Sequence, residues 1–137
     1  MDTPELRQQL DAILTRYKLE AHRDSTVSAL AQGVRKLLDI AMAVVSRPRI
    51  LLLDEPTSGI SVEEKFDFMD IVMDALKEAG VTVLFVEHDM EIVARYVSRV
   101  LAFYQGEIIA DMPPKKALSD KKVQEFVIGK EHHKKKK

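Results

Sequence analysis

Apolar residues recur at helical spacing in the first segment of the chain. Leu6, Leu10, Ile13, Leu14 and Tyr17 predict a helix over residues 4–18, with Thr3 as its N-cap and Pro4 in the first helical position. The polar, turn-rich stretch "EAHRDSTVSALAQG" reads as a loop. Leu37, Leu38, Ala41 and Val45 predict a second helix over 34–46, stopped by Pro48. The continuous apolar run at 50–53 predicts a short strand buried on both faces. Phe66, Met69, Val72, Met73 and Leu76 mark the inner stripe of a helix over 61–79, which Gly80 ends. A second β-branched run, 81–86, predicts a second buried strand. A helix over 89–97 follows, with Met90, Val93, Ala94 and Val97 on one side. Residues 99–104 and 107–110 flank Gln105-Gly106 as a hairpin, 111–114 form a loop, and 121–128 form a last helix.

Alternating strands and helices predict an α/β fold with a parallel sheet and packed helices. No internal repeat or linker divides the chain.

Composition adds bounds. At 137 residues the chain is long enough for one modest domain with a core. Hydrophobic residues at 46% and charged residues at 31% are ordinary for a water-soluble globular domain. No run of eighteen apolar residues suggests a membrane span, and the first twenty residues lack the apolar centre of a signal peptide. Without cysteine there are no disulfides or thiolate metal sites, which is compatible with a reducing cytoplasm. The net charge of −1 hides an uneven spread: "KEHHKKKK" at the end carries five lysines against one glutamate. We read residues 130–137 as a basic, disordered, solvated tail. Its two histidines, His132 and His133, are too few ligands for a stable metal site. Nucleic-acid binding would rest on this tail alone and is not expected.

The chemistry gathers at two strand ends. "ILLLDEPTSG" runs four aliphatic residues into Asp54 and Glu55, and "VLFVEHD" ends the next strand with Glu87, His88 and Asp89. In open parallel sheets, ligands gather at the carboxyl ends of the strands. A carboxylate there can hold Mg²⁺ through water, and a second can orient or deprotonate an attacking water. A histidine can bond a terminal phosphate and that water together.

These residues resemble the ATPase domain of ABC transporters. "ILLLDEP" looks like that family's Walker B segment, which implies Asp54 as the Mg²⁺ carboxylate and Glu55 as the catalytic base. Ser58–Ser61 looks like the D-loop, and His88 like the switch histidine. "LAQGVRKLLDIAMAV", from Leu30, stands in the place of the signature motif and its helix, which implies phosphate contact near Gly33. The wording "VEHDM" and "IAMA" leans towards importers of branched-chain amino acids. The resemblance covers about residues 5–129, with 1–46 similar to the helical subdomain and 47–129 to the Walker B and switch part of a RecA-like (P-loop NTPase) core. It implies ATP and Mg²⁺ as cofactors, membrane subunits and a second ATPase subunit as partners, and a place in the cytoplasm at the inner face of the membrane.

The sequence departs from the family pattern in several places, and the glutamine loop and the adenine-stacking aromatic strand are not recognisable. No G-x-x-x-x-G-K-[ST] phosphate loop occurs anywhere in the 137 residues. That loop's amides and lysine hold the β- and γ-phosphates, and carboxylates cannot replace them. The signature serine is Ala31, a loss of about 1.5–3 kcal/mol of interaction with a charged group. The D-loop aspartate is Ser61.

The expectation is therefore the carboxyl-terminal part of an ABC importer's ATPase, inactive alone and completed by an amino-terminal half. The family's phosphate-loop strand lies between the strands resembling 81–86 and 99–104. Its loss exposes sheet edges, which a rearranged sheet, a homo-oligomer or a strand-swapped dimer would repair. The competing reading is a non-catalytic interaction module that docks through residues 4–46. A third is an anionic-surface binder using Lys134–Lys137.

Overall fold

The computed structural model describes residues 3–129. The lysine-rich tail and its two histidines lie outside the described residues. The chain forms two compact units, one ending at Val86 and the other beginning at Glu87.

The first unit opens with α1, Pro4–Arg16. Thr3 caps it as expected, its Oγ1 accepting the Leu6 amide at 3.3 Å. The following loop contains two 3₁₀ turns, Glu20–His22 and Val27–Ala29. Helix α2, Gln32–Val45, begins two residues earlier than its apolar pattern suggests, because Gln32 and Gly33 are already helical. Strand β1, Ile50–Asp54, pairs in parallel with β2, Thr82–Val86.

Between the strands runs α3, Lys65–Glu78. Its hydrogen bonding starts earlier, since the Lys65 amide reaches the Ser61 carbonyl at 3.0 Å. Ser61 and Glu64 complete this start: the Ser61 hydroxyl accepts the Glu64 amide at 3.3 Å and donates to the Glu64 carboxylate at 2.9 Å. The core of the unit is α2 against α3, with Leu37, Ile40, Ala41 and Val44 facing Phe68, Met69, Val72 and Leu76. The buried stripe of α3 centres on Met69, Val72 and Leu76 as expected and extends to Phe68 and Ala75, while Phe66 and Met73 are only half-buried.

One expectation for β1 and β2 needs correction. The strands are not buried on both faces. Exposure alternates along each, and Ile50, Leu52, Leu84 and Val86 are 62%, 69%, 55% and 56% exposed. Register places Leu52 opposite Leu84 and Asp54 opposite Val86, so the exposed residues share one face. A two-stranded ribbon with helices packed on it from one side leaves the other side open. The described residues contain no third strand beside β1 or β2.

The second unit starts with α4, Met90–Tyr96, then β3, Val100–Tyr104, and β4, Glu107–Met112. Ile92 is the buried residue of α4, not the face through Met90 and Ala94; a helix under two turns long has no single dominant stripe. Strands β3 and β4 form the expected antiparallel hairpin. Gln105 and Gly106 have φ of 48° and 84°, the left-handed pair that a two-residue turn of this hand requires. Strand β4 runs further than expected, and α5, Pro114–Ser119, replaces part of the predicted loop. Helix α6, Lys121–Val123, continues as a π-type turn over Gln124–Ile128. Ala102, Ala110 and Val123 form the core of this unit, with Ile109, Met112 and Ile128 against them. The expected α/β class with a parallel sheet is present.

Candidate functional site

Strand β1 ends at Asp54 because the next residue leaves the extended region. Glu55 has φ of 46°, a left-handed conformation uncommon for a residue with a Cβ. Its amide donates to the Val86 carbonyl at 2.9 Å, and its carbonyl accepts the Ser58 amide at 3.0 Å. The chain turns sharply there, with Pro56 buried. The two acids therefore stand at the carboxyl end of the parallel pair, Asp54 exposed and Glu55 half-buried.

Gly33 lies in the first turn of α2. A Cβ built on it meets nothing within 4 Å, so its surroundings are open. Ala31, at the N-cap, supplies no side-chain hydrogen bond to this helix end. The acid loop and the start of α2 are brought together by two residues the sequence reading passed over. Lys36 donates to the carbonyls of Pro56 and Glu55, at 3.0 and 3.4 Å. The Gln32 side chain packs directly on Gly59, whose φ is 75°. The sequence offered only their i, i+4 spacing, on a helix that also carries Arg35 and Asp39.

His88 belongs to the second unit. It follows two residues after Val86, the register partner of Asp54, and its side chain is exposed. Its neighbours in the motif serve the entry to α4. The Glu87 carboxylate accepts the amides of His88 and Asp89 at 3.0 and 3.2 Å, and Asp89 accepts those of Glu91 and Ile92 at 2.9 and 3.4 Å.

Among the described residues, no three histidines or carboxylates gather to hold a metal ion. A lone carboxylate such as Asp54 suits Mg²⁺, which keeps several waters and takes one or two protein carboxylates beside phosphate oxygens. It does not suit a cation that needs a full protein cage. Among the described residues, no helix is long and apolar enough to cross a membrane.

Residues 2–58 match the family model for ABC transporters. Over 119 residues the chain is 32% identical to the energy-coupling factor transporter ATP-binding protein EcfA3 of Clostridium perfringens, covering 87% of this chain and 42% of that protein. An ATP-binding cassette of an ABC transporter, solved in its ADP conformation, superposes with a TM-score of 0.80 at 32% identity, over 94% of this chain and 52% of that one. The structure of cbiO1 from Clostridium perfringens, part of the ABC transporter complex cbiONQ, gives a TM-score of 0.78 at 32% identity, over 90% and 50%. The chain spans less than half the length of the first relative and about half of each solved structure.

Proposed function

We propose that this chain, a partial ABC transporter ATPase domain, supplies the magnesium- and water-handling side of an ATP-hydrolysing site. The observation that carries this reading is the end of β1, where Asp54 and a left-handed Glu55 stand side by side at the carboxyl end of a parallel strand pair. In this reading Asp54 would hold Mg²⁺. Glu55 takes a proton from the attacking water, and His88 orients that water against the terminal phosphate. The amides around Gly33 contact phosphate at the start of α2. A cation held by Asp54 would supply charge stabilisation to the transferring phosphoryl group.

The grip on the phosphates is missing from these 137 residues, which contain no G-x-x-x-x-G-K-[ST] loop. We therefore place that loop on a complementary half, and hold the chain alone to be inactive. The open face of Ile50, Leu52, Leu84 and Val86 supports this, because an apolar sheet face of that kind calls for a cover. A second copy of the chain is the other candidate cover, and light scattering separates the two. The complete assembly would couple ATP hydrolysis to transport through membrane subunits, at the cytoplasmic face. Its narrower identity as a branched-chain amino acid importer rests on "VEHDM" and "IAMA" alone.

Calorimetric titration with Mg-ATP tests the division of labour. The chain alone is expected to show no binding at micromolar nucleotide, and binding is expected once a polypeptide carrying the phosphate loop is added. Micromolar affinity of the chain alone would contradict it.

One observation favours the non-catalytic reading. Helix α1 has no buried residue, and Leu6 and Leu10 are exposed, as a docking helix would be. In that reading Glu55→Gln leaves function untouched while changes on α1 abolish it.

A further inference from the structure

The acid loop is held from outside itself. Gln32 and Lys36 are four residues apart and share one face of α2. Gln32 lies against Gly59, and the Lys36 ammonium bridges two successive carbonyls, those of Glu55 and Pro56. The half-buried Lys36 makes no ion pair among the described residues, so its charge is directed at the loop backbone. Hydrogen bonds from an ionised donor are the stronger kind.

Glu55 needs such support. A left-handed residue with a Cβ is disfavoured, and persists only where its surroundings over-determine it. The Val86 carbonyl holds the amide side of Glu55, and the Ser58 amide belongs to the turn itself. From a separate element, the Lys36 side chain holds the carbonyls of Glu55 and Pro56. Losing the Lys36 bonds leaves the Glu55 carbonyl on the Ser58 amide and removes a charged donor from the Pro56 carbonyl, which loosens the turn that carries the Glu55 carboxylate.

We propose that Lys36 is a positioning residue for Glu55, and that it links the first turn of α2, where Gly33 lies, to the orientation of that carboxylate. The catalytic sense of this link rests on the ATPase reading above; the clamp on the Glu55 backbone does not.

Residue-resolved amide hydrogen exchange tests it on the 137-residue chain, with Lys36→Met removing the charge and keeping the stem, and Lys36→Arg restoring a cation. In Lys36→Met the Glu55 and Ser58 amides are expected to exchange at least about tenfold faster, the scale of a lost charged hydrogen bond. Val72 in the core of α3 keeps its rate, and Lys36→Arg recovers most of the protection. Unchanged rates at Glu55 and Ser58, or a rise matched at Val72, would overturn the clamp. In the assembly completed with a phosphate-loop half, Lys36→Met should lower kcat with little change in KM for ATP. Absence of turnover in every version, with the exchange effect intact, would sink the ATPase reading and leave the clamp standing. Normal turnover with unaltered exchange would sink the clamp and leave the ATPase reading.

Discussion

The amide of Glu55 donates to the carbonyl of Val86 at 2.9 Å, closing the β1–β2 ladder just past its last register pair, Asp54 and Val86. This bond holds Glu55 at φ of 46°. A β-branched residue resists that region far more than asparagine does. Glu55→Val should therefore destabilise the chain by about 1–2 kcal/mol and Glu55→Asn by only a few tenths. Urea unfolding midpoints compare them, and equal midpoints would remove the argument for backbone strain at the acid.

Gly59 combines a φ of 75° with direct contact from Gln32; an added Cβ would lie 2.2 Å from the amide nitrogen of that side chain. The amide can swing away, but the backbone cannot relax without leaving the loop. Gly59→Ala should cost about 1 kcal/mol. Gln32→Ala in the same background should recover little of it, because the backbone term dominates. Full recovery in the double variant would assign the cost to the contact instead.

Tyr17 is buried, at 1% exposure, and its hydroxyl has no hydrogen-bond partner among the described residues. Tyr17→Phe should raise unfolding free energy by about 1 kcal/mol, since an unpaired buried hydroxyl is removed. Burial pushes the phenol above its ordinary value of 10.0, outweighing the neighbouring Arg16 charge. With the folded value raised, this group's contribution is fully present below pH 10.0 and is lost as pH rises through the folded value. That alkaline loss should vanish in Tyr17→Phe, as a fluorescence-monitored pH series can show.

Arg99 and Asp111 clip the ends of the β3–β4 hairpin with two hydrogen bonds of 2.7 Å. The Arg99 hydrogen bond, aided by its charge, holds the Asp111 carboxyl below its ordinary value of 3.8. A lowered folded value gives stability that is present above pH 3.8 and lost as pH falls through the folded value. Both side chains are exposed, so salt screens the pair and the effect is small. A carboxylate titration by NMR should find Asp111 low, and back at the ordinary value in Arg99→Ala.

Local chemistry was legible in the sequence where it acts locally. Thr3 and Pro4 announce α1, Gln105-Gly106 announces the hairpin turn, and the two acids announce the end of β1. Residue 114 reads in the sequence as the end of a loop, whereas Pro114 occupies the first turn of α5, where its missing amide hydrogen costs nothing. The open face of β1 and β2 was illegible, since an apolar run does not say how many layers will cover it. Lys36 and Gln32 were missed because their partners lie about twenty or more residues away, in a loop that only the folded chain brings to α2.

The central claim is that Glu55 activates water beside a nucleotide whose phosphate grip comes from outside these 137 residues. Steady-state ATP turnover tests it, measured on the chain combined with a polypeptide carrying the phosphate loop. Turnover is expected only in the combination, falling by about two to three orders of magnitude in Glu55→Gln with nucleotide binding retained. Undiminished turnover in Glu55→Gln, or none in a combination that binds Mg-ATP, would contradict it.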